Sequence, residues 1–306
     1  MSYKISVIVP IYGVEQYIER CARSLFEQTL DAIEFIFVDD CTTDNSMDVL
    51  HRVIADYPQR KDHVTIIKHE TNKGLPQARK TGVQVAKGEY VAHCDSDDWV
   101  ECNMYEVLYE YATSGHYDIV YSDYYVSDGT HNFPKCTKTS KRLIQGPIWN
   151  KLVNRALYTE NEIVYPTANK AEDGALMTQL SYYAKQIGYM PKPLYHYFAN
   201  PQSMTRILSE GDCIKRMEQE KENTLLRVSF LDSLGQTANF KTDVIEWKWL
   251  TRNNLLPHLR KNKFYKLWFS TYPEINKDLL LNRGITLRAK VVFLLQLSRL
   301  YSFLKR

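Results

Sequence analysis

The sequence predicts an α/β protein with a doubly wound, mostly parallel central sheet, followed by a helical C-terminal region. Three observations carry this expectation. Short apolar, β-branched runs alternate with amphipathic helical patterns four times within the first hundred residues. The segments joining the runs are too long for hairpins, which leaves right-handed crossovers between parallel strands. From about Gly211 onward every apolar pattern has helical spacing.

The elements follow in order. "ISVIVPIY" (Ile5 to Tyr12) is short and apolar and reads as a strand buried on both faces. "VEQYIERCARSLFEQ" sets Ile18, Cys21, Ala22, Leu25 and Phe26 on one side of a helix. "IEFIFVDD" is a second strand that stops at two acids, and "TTDNSMDVLHRVIADYP" is a helix opening on capping residues and closing at Pro58. "VTIIKHE" is a third strand. "GLPQARKTGVQVAKG" is a third helix, closed by Gly88, and "EYVAHCD" is a fourth strand. Past Trp99 the pattern loosens. "MYEVLYEYATSG" predicts a helix, "YDIVYSDYYV" a strand and "THNFPKCTKTSKR" a polar loop. "PIWNKLVNRALYT" and "EDGALMTQLSYYAKQ" predict helices, and "IGYM" and "PLYHYFAN" two strands. One domain over residues 1–210 is expected, with halves of about 1–100 and 101–210, then a helical region over 211–306.

Bulk properties fit a soluble globular chain: 306 residues, 44% hydrophobic and 25% charged. A net charge of +3 is too small to argue for a nucleic-acid partner, and none is expected. The six cysteines are scattered without a C-x-x-C pair, so neither a disulfide framework nor a zinc site is read. The first apolar run is too short for a signal peptide and no stretch is long enough to span a bilayer, which predicts a cytoplasmic protein.

In "VAHCDSDDWV" three acids, Asp95, Asp97 and Asp98, fall within four positions behind an apolar run. Ionised carboxylates that lose water need a positive partner. Asp95 and Asp97, two apart in an extended segment, point the same way and can converge on one ligand. A hard cation, Mg²⁺ or Mn²⁺, needs only one or two protein carboxylates when phosphate oxygens complete its shell. Helix capping competes, and Asp98 is the better cap. An EF-hand loop is excluded because Val100 stands where its turn glycine is required. A phosphatase-type nucleophile belongs after the first strand, not the fourth. In open α/β sheets ligands bind beyond the carboxyl ends of the strands, where Tyr12, Asp39, His69 and these acids gather.

"VIVPIYGVEQYIERCARSLFEQT", "FIFVDDCTTDNS", "NKGLPQARKTGVQVAKGEYVAHCDSDDW" and "EDGALM", in that order over roughly residues 4–200, closely resemble family 2 glycosyltransferases of GT-A fold. The resemblance implies metal-dependent transfer of a hexose from a nucleoside diphosphate, usually UDP, with inversion, to a glycan or lipid-linked acceptor of a cell-surface polysaccharide. By that likeness Pro10, Tyr12 and Glu15 line the nucleotide pocket, Asp39 accepts a hydrogen bond from the uracil ring, and Arg79 faces base or phosphates. Asp95, with Ser96 beside it, holds ribose or base; Asp97 takes the metal on the diphosphate. Gly13 departs from the family's usual Asn. Glu172 and Asp173 read locally as a helix start; the match makes Asp173 the catalytic base and Glu172 its support. His196 is either a further metal ligand or a packed imidazole. Trp149 and Lys151 open the acceptor region, Trp149 as a sugar platform or a buried anchor.

In the last segment Ala289, Phe293, Leu297, Leu300 and Leu304 share one helical face, and Arg288, Arg299 and Arg306 the opposite one. That form suits either peripheral contact with the anionic inner face of a membrane or a helix packed on the protein. Two other function classes remain. A sugar-nucleotide pyrophosphorylase wants a glycine-rich basic loop after the first strand, and "PIYGVEQYIER" is not one. An inactive nucleotide-binding module would not need Asp39, Asp95, Asp97 and Asp173 together.

Overall fold

A computed structural model describes residues 2–144, 146–200 and 209–298. The chain divides into two compact units, residues 1–169 with 176–203, and residues 170–175 with 204–306.

The first unit is built on one sheet. Strands β1 (Ile5–Ile11), β2 (Ile33–Asp39), β3 (Val64–Lys68) and β4 (Tyr90–His93) run parallel in the order β3-β2-β1-β4. Helices α1 (Ile18–Phe26), α2 (Ser46–Asp56) and α3 (Leu75–Val85) make the crossovers. Every residue of β1 and β2 is buried because both faces are covered. Alternation divides the core: Val7, Val9, Phe35 and Phe37 join Cys21, Leu25 and Phe26 of α1, while Ile8, Ile36 and Val38 join Ala78 and Val83 of α3. The sheet continues β4-β8-β6-β9-β5, using β5 (Trp99–Val100), β6 (Ile119–Ser127), β8 (Lys151–Asn154) and β9 (Ile187–Phe198), with β7 (Asn132–Lys135) paired on β6. Here β8 is antiparallel to β4 and β6, and β9 is parallel to β6. Helix α4 (Met104–Ser114) buries Met104, Tyr105, Leu108 and Ala112.

Three expectations for this half are corrected. "PIWNKLVNRALYT" is not a helix: Lys151–Asn154 form β8, and only Ala156–Thr159 make a single helical turn, α5. Pairing on both sides, Ala92 with Leu152 and Val120 with Leu152, overrides the helix-compatible spacing. The polar loop contains the exposed edge strand β7, paired through Tyr125 with Pro134. "IGYM" and "PLYHYF" are one strand, β9, whose Pro191 and Pro193 coincide with a register irregularity at Ser122, Asp123 and Tyr124 of β6.

The second unit holds α7 (Glu210–Ser233), α8 (Lys241–Asn253), α9 (Asn262–Ser270), α10 (Ile275–Leu281) and α11 (Leu287–Leu297). A capping box between Ser209 and Asp212 starts α7. Met217, Ile245, Phe264, Trp268, Leu279 and Phe293 share its core. In the terminal segment Phe293 is fully buried, with Ala289 and Leu297 packed beside it, so the described part of this face packs on protein, one of the two arrangements the sequence allowed. Arg299, Leu300, Leu304 and Arg306 lie outside the described residues. Among the described residues no helix is long and apolar enough to cross a membrane.

Candidate functional site

Because β1 to β4 are parallel, their carboxyl ends share one edge of the sheet. Pro10 lies near the end of β1 opposite Val38, before its closing Ile11, and Tyr12 beyond it is 54% exposed. Gly13 turns with φ +67°, a conformation that Gly or Asn adopts at low cost, which accounts for the departure from the usual Asn. The amides of Gly13, Val14 and Glu15 donate to Thr42 Oγ1, Ser46 Oγ and Asp44 Oδ2. Glu15 Oε2 in turn accepts from the backbone and side-chain nitrogens of Asn45, so Glu15 latches the first loop onto the second. Asp39 is buried, with Oδ1 accepting from the Thr42 amide at 2.8 Å. The next residues carry strain, since Cys41 is left-handed at φ +61°.

Asp40 is a buried hub. It accepts from the amides of Lys73 and Gly74, each at 2.8 Å, and its Oδ1 lies 2.7 Å from His69 Nδ1. His69 Nε2 faces Thr81 Oγ1 at 2.9 Å, so the carboxylate fixes the loop that launches α3. That helix carries Arg79, which is 2% exposed and donates from Nη2 to Asp95 Oδ1 at 2.7 Å. Arg79 is the positive charge awaiting the acids behind β4. It pairs with the first of them.

Asp97 is held by other means. Arg20 of α1 lies with its guanidinium 3.6 Å over the Trp99 ring and donates from Nη2 to the Asp97 carbonyl at 3.0 Å. Burial raises the Asp97 carboxyl above the usual carboxylate range, against a hydrogen bond from Asn200 and the charge of Arg20, both of which lower it. Ser96 between the two acids is buried. Asp98 does not cap a helix. It is 1% exposed, with Oδ2 accepting from Tyr195 Oη at 2.7 Å and Oδ1 from the Phe198 amide at 2.7 Å, so it ties this turn to β9. Burial, then the charges of Asp97 and Asp95, push its carboxyl well up. The sequence expectation failed because the segment after Asp98 is the short strand β5, and α4 starts only at Met104.

His196 is buried with both ring nitrogens in hydrogen-bond reach. Its Nε2 lies 2.8 Å from Glu101 Oε1, its Nδ1 3.3 Å from Asn132 Oδ1, and the ring is stacked between Trp99 and Tyr125. With both nitrogens engaged it is the packed imidazole of the two readings. Trp149 is likewise the buried anchor: it is 6% exposed, stacked on Tyr195 at 4.3 Å and on Tyr197 at 5.6 Å. Lys151 is buried, with Nζ donating to Asn150 Oδ1 and the Pro147 carbonyl. Glu172 and Asp173 open helix α6 (Glu172–Tyr183), where the helix dipole favours carboxylates in the first turn. The residue before them, Ala171, is left-handed at φ +63°, a second strained position beside a motif.

The model of glycosyl transferase family 2 matches residues 6–172. The chain belongs to that family. It is similar to the uncharacterized glycosyltransferase EpsJ of Bacillus subtilis, 28% identical over 78% of this chain and 73% of that protein. It is also similar to the poly(ribitol-phosphate) β-N-acetylglucosaminyltransferase TarS of Staphylococcus aureus, 28% identical over 63% of this chain but only 35% of that protein. The crystal structure of TarS 1–349 with UDP-GlcNAc superposes with a TM-score of 0.62 at 18% identity, covering 97% of this chain and 92% of that one. A mannosyltransferase of Pyrobaculum calidifontis with GDP-Man and Mn²⁺ superposes with a TM-score of 0.57 at 14% identity, covering 100% and 89%. These two share the α/β fold with its helical C-terminal region.

The donor set fits a divalent cation bound with a diphosphate. No group of three or more His, Cys, Asp or Glu side chains forms a complete cage among the described residues. A Mg²⁺ or Mn²⁺ ion sharing phosphate oxygens does not need one. Asp95 is engaged by Arg79, and Asp97 is a desolvated carboxyl whose anion a nearby cation would favour. Arg20, Asn200, Tyr195 and the Asp40–His69 pair were not identified from sequence. Asp40 and His69 carried a signal, their places at strand ends.

Proposed function

We propose that the chain transfers a hexose from a UDP-sugar, with inversion, to a hydroxyl of a glycan or lipid-linked acceptor in cell-surface polysaccharide synthesis. The observation that carries the reading is the convergence of Asp39, Asp95 and Asp97 on one edge of the parallel sheet, with Arg79 bound to Asp95. The donor complexes and polymer-modifying names among the similar proteins support UDP and a polysaccharide product. In this reading Pro10, Tyr12 and Glu15 shape the nucleotide pocket, Asp39 accepts from the base, and Asp95 with Ser96 holds the nucleoside. Asp97 would hold Mn²⁺ or Mg²⁺, which when bound neutralises the diphosphate leaving group. Asp173 takes the proton of the attacking acceptor hydroxyl and Glu172 supports it.

A thermal-shift series with UDP, GDP, dTDP and CDP, each with Mn²⁺ or with EDTA, tests the donor half. UDP with Mn²⁺ should raise the melting temperature most, since a ligand at a hundred times its Kd adds about 2.7 kcal/mol to stability. No stabilisation by any nucleotide with metal present would remove the reading.

A further inference from the structure

Residues 129–159 contain no Asp or Glu but hold Lys135, Lys138, Lys141, Arg142, Lys151 and Arg155. The fold gathers most of this charge around two adjoining cavities in the first unit. One, of about 190 Å³, is lined by Tyr121, Tyr124, Lys135, Thr137, Asn150 and Lys151 among others. The second, of about 210 Å³, is lined by Tyr121, Thr139, Lys141 and Arg142. They share Tyr121 and Ile144. Beside them Lys138 lies 5.9 Å over the Tyr189 ring. The neighbouring carboxylate on β6, Asp123, already accepts from the Thr137 amide and hydroxyl and from Tyr189 Oη.

The place of the cavities matters as much as their charge. Tyr121 is the register partner of Lys151, and Leu152 is that of Ala92 at the end of β4, three residues before Asp95. The first cavity, at Tyr121 and Lys151, therefore lies level with the end of β4 on the side away from β1 and β2, and the second continues from it toward Ile187 at the start of β9. Lysines offer donors and no acceptors, so they discriminate for oxyanions over neutral hydroxyls. Each cavity is smaller than the roughly 300–1,000 Å³ that holds a compact drug-sized ligand, which suits successive units of a chain.

We propose that these cavities seat the acceptor, and that the acceptor is a polyanionic chain of sugar or alditol units whose phosphodiester or carboxylate groups lie against Lys135, Lys138 and Lys141 while the units between them meet Tyr121 and Tyr124. The inference rests on the glycosyltransferase reading above and adds the chemical class of the acceptor. Mixed charge then divides the edge: acids handle the donor side and cations the acceptor side.

Direct binding tests it on the full chain, with UDP and Mn²⁺ present, using oligo(ribitol phosphate), oligogalacturonate and neutral maltooligosaccharide of equal length. One or both anionic chains should bind at least about tenfold tighter than the neutral one, with affinity falling as salt rises. Which of them binds identifies phosphate or carboxylate as the group recognised. Lys135→Glu combined with Lys138→Glu should weaken that binding roughly tenfold, whereas Lys61→Glu, the same kind of charge change on an exposed residue of the 58–63 turn, should not. Retained UDP binding shows the double variant to be folded. Equal affinity for the neutral chain overturns the proposal, as does equal weakening by Lys61→Glu, which would mark a diffuse charge effect. Failure of wild-type protein to bind UDP would instead strike the donor reading and leave the cavity measurements interpretable by themselves.

Discussion

The two units treat buried charge in opposite ways. In the first, buried carboxylates are held by donors from neighbouring elements. Glu34 accepts from Ser6 Oγ and the amides of Lys87 and Gly88, Asp40 from the amides of Lys73 and Gly74, and Asp98 from Tyr195 and the Phe198 amide. In the second, buried guanidiniums lie on indole faces, Arg227 at 3.6 Å from the Trp247 ring and Arg252 at 4.5 Å from that of Trp268. Burial lowers the pKa of Arg227 to about 9 and of Arg252 to about 10, so both remain cations at neutral pH. The difference separates charge that fixes loops around a ligand edge from charge used as flat packing material. In the first arrangement, burial holds back the ionisation of Asp97 and Asp98; Asp98 is already bound by Tyr195 and the Phe198 amide, so ligand chemistry is expected at Asp97.

The sharpest way to break the comparison is to neutralise the acids given ligand roles. Asp97→Asn should reduce turnover by roughly 10²–10³-fold and abolish the strengthening of UDP binding by Mn²⁺, while leaving the urea midpoint unchanged or higher. Titration calorimetry with and without Mn²⁺ decides it, and a variant that still gains affinity from Mn²⁺ would take Asp97 out of that role. Asp173→Asn should keep UDP and Mn²⁺ affinity within a few-fold yet lose at least about 10²-fold in turnover, the contribution expected of a positioned base. Glu172→Gln should lose less. A β-linked product from an α-linked donor checks the inversion by NMR.

How much of this was legible in advance depended on range. The parallel half was readable because Ile5–Ile11 and Ile33–Asp39 are apolar apart from Ser6, Glu34 and the closing Asp39, and their crossovers are long. The motif match supplied Asp39, Arg79, Asp95 and Asp97. The mixed half was not readable, because a four-residue strand such as Lys151–Asn154 has no period of its own and is made by its neighbours. The same limit explains Asp98 and His196. Tyr195 lies 97 residues from Asp98, and Glu101 lies 95 from His196, so no local pattern could say that their polar atoms were already engaged. Arg20 reaches the Asp97 carbonyl across 77 residues for the same reason.

Asp98 gives the next largest effect, and here stability rather than turnover should move. Asp98→Ala strands the Phe198 amide and the Tyr195 hydroxyl, and a stranded buried donor costs about 1–3 kcal/mol. Removing a negative charge beside Asp95 and Asp97 returns part of that cost, so a net loss on the order of 2–4 kcal/mol is expected in urea unfolding. Asp98→Asn, which keeps one oxygen acceptor, should lose less. An unchanged midpoint in Asp98→Ala would mean that the acid is not what ties β5 and β9 together.

The smallest effect is expected in the second unit, and it bears most directly on the contrast. Arg252 is fully buried, yet among the described residues its Nε and Nη2 have no hydrogen-bond partner, while Nη1 donates to Asn276 Oδ1 at 2.8 Å. Its guanidinium also lies over the rings of Trp268 and Phe293, the latter 5.2 Å away. A desolvated cation over an indole contributes up to about 2 kcal/mol, but leaving two guanidinium nitrogens unsatisfied costs a similar amount. The two nearly cancel, and methionine fills much of the same volume without the polar atoms. Arg252→Met should therefore change unfolding free energy by about 1 kcal/mol or less, in either direction. Arg252→Ala should cost more, because the cavity it opens between Trp268 and Phe293 has no side chain to fill it. If Arg252→Met destabilised the protein as much as Asp98→Ala, the buried arginine would be holding structure through its charge, and the two units would be built on the same principle after all.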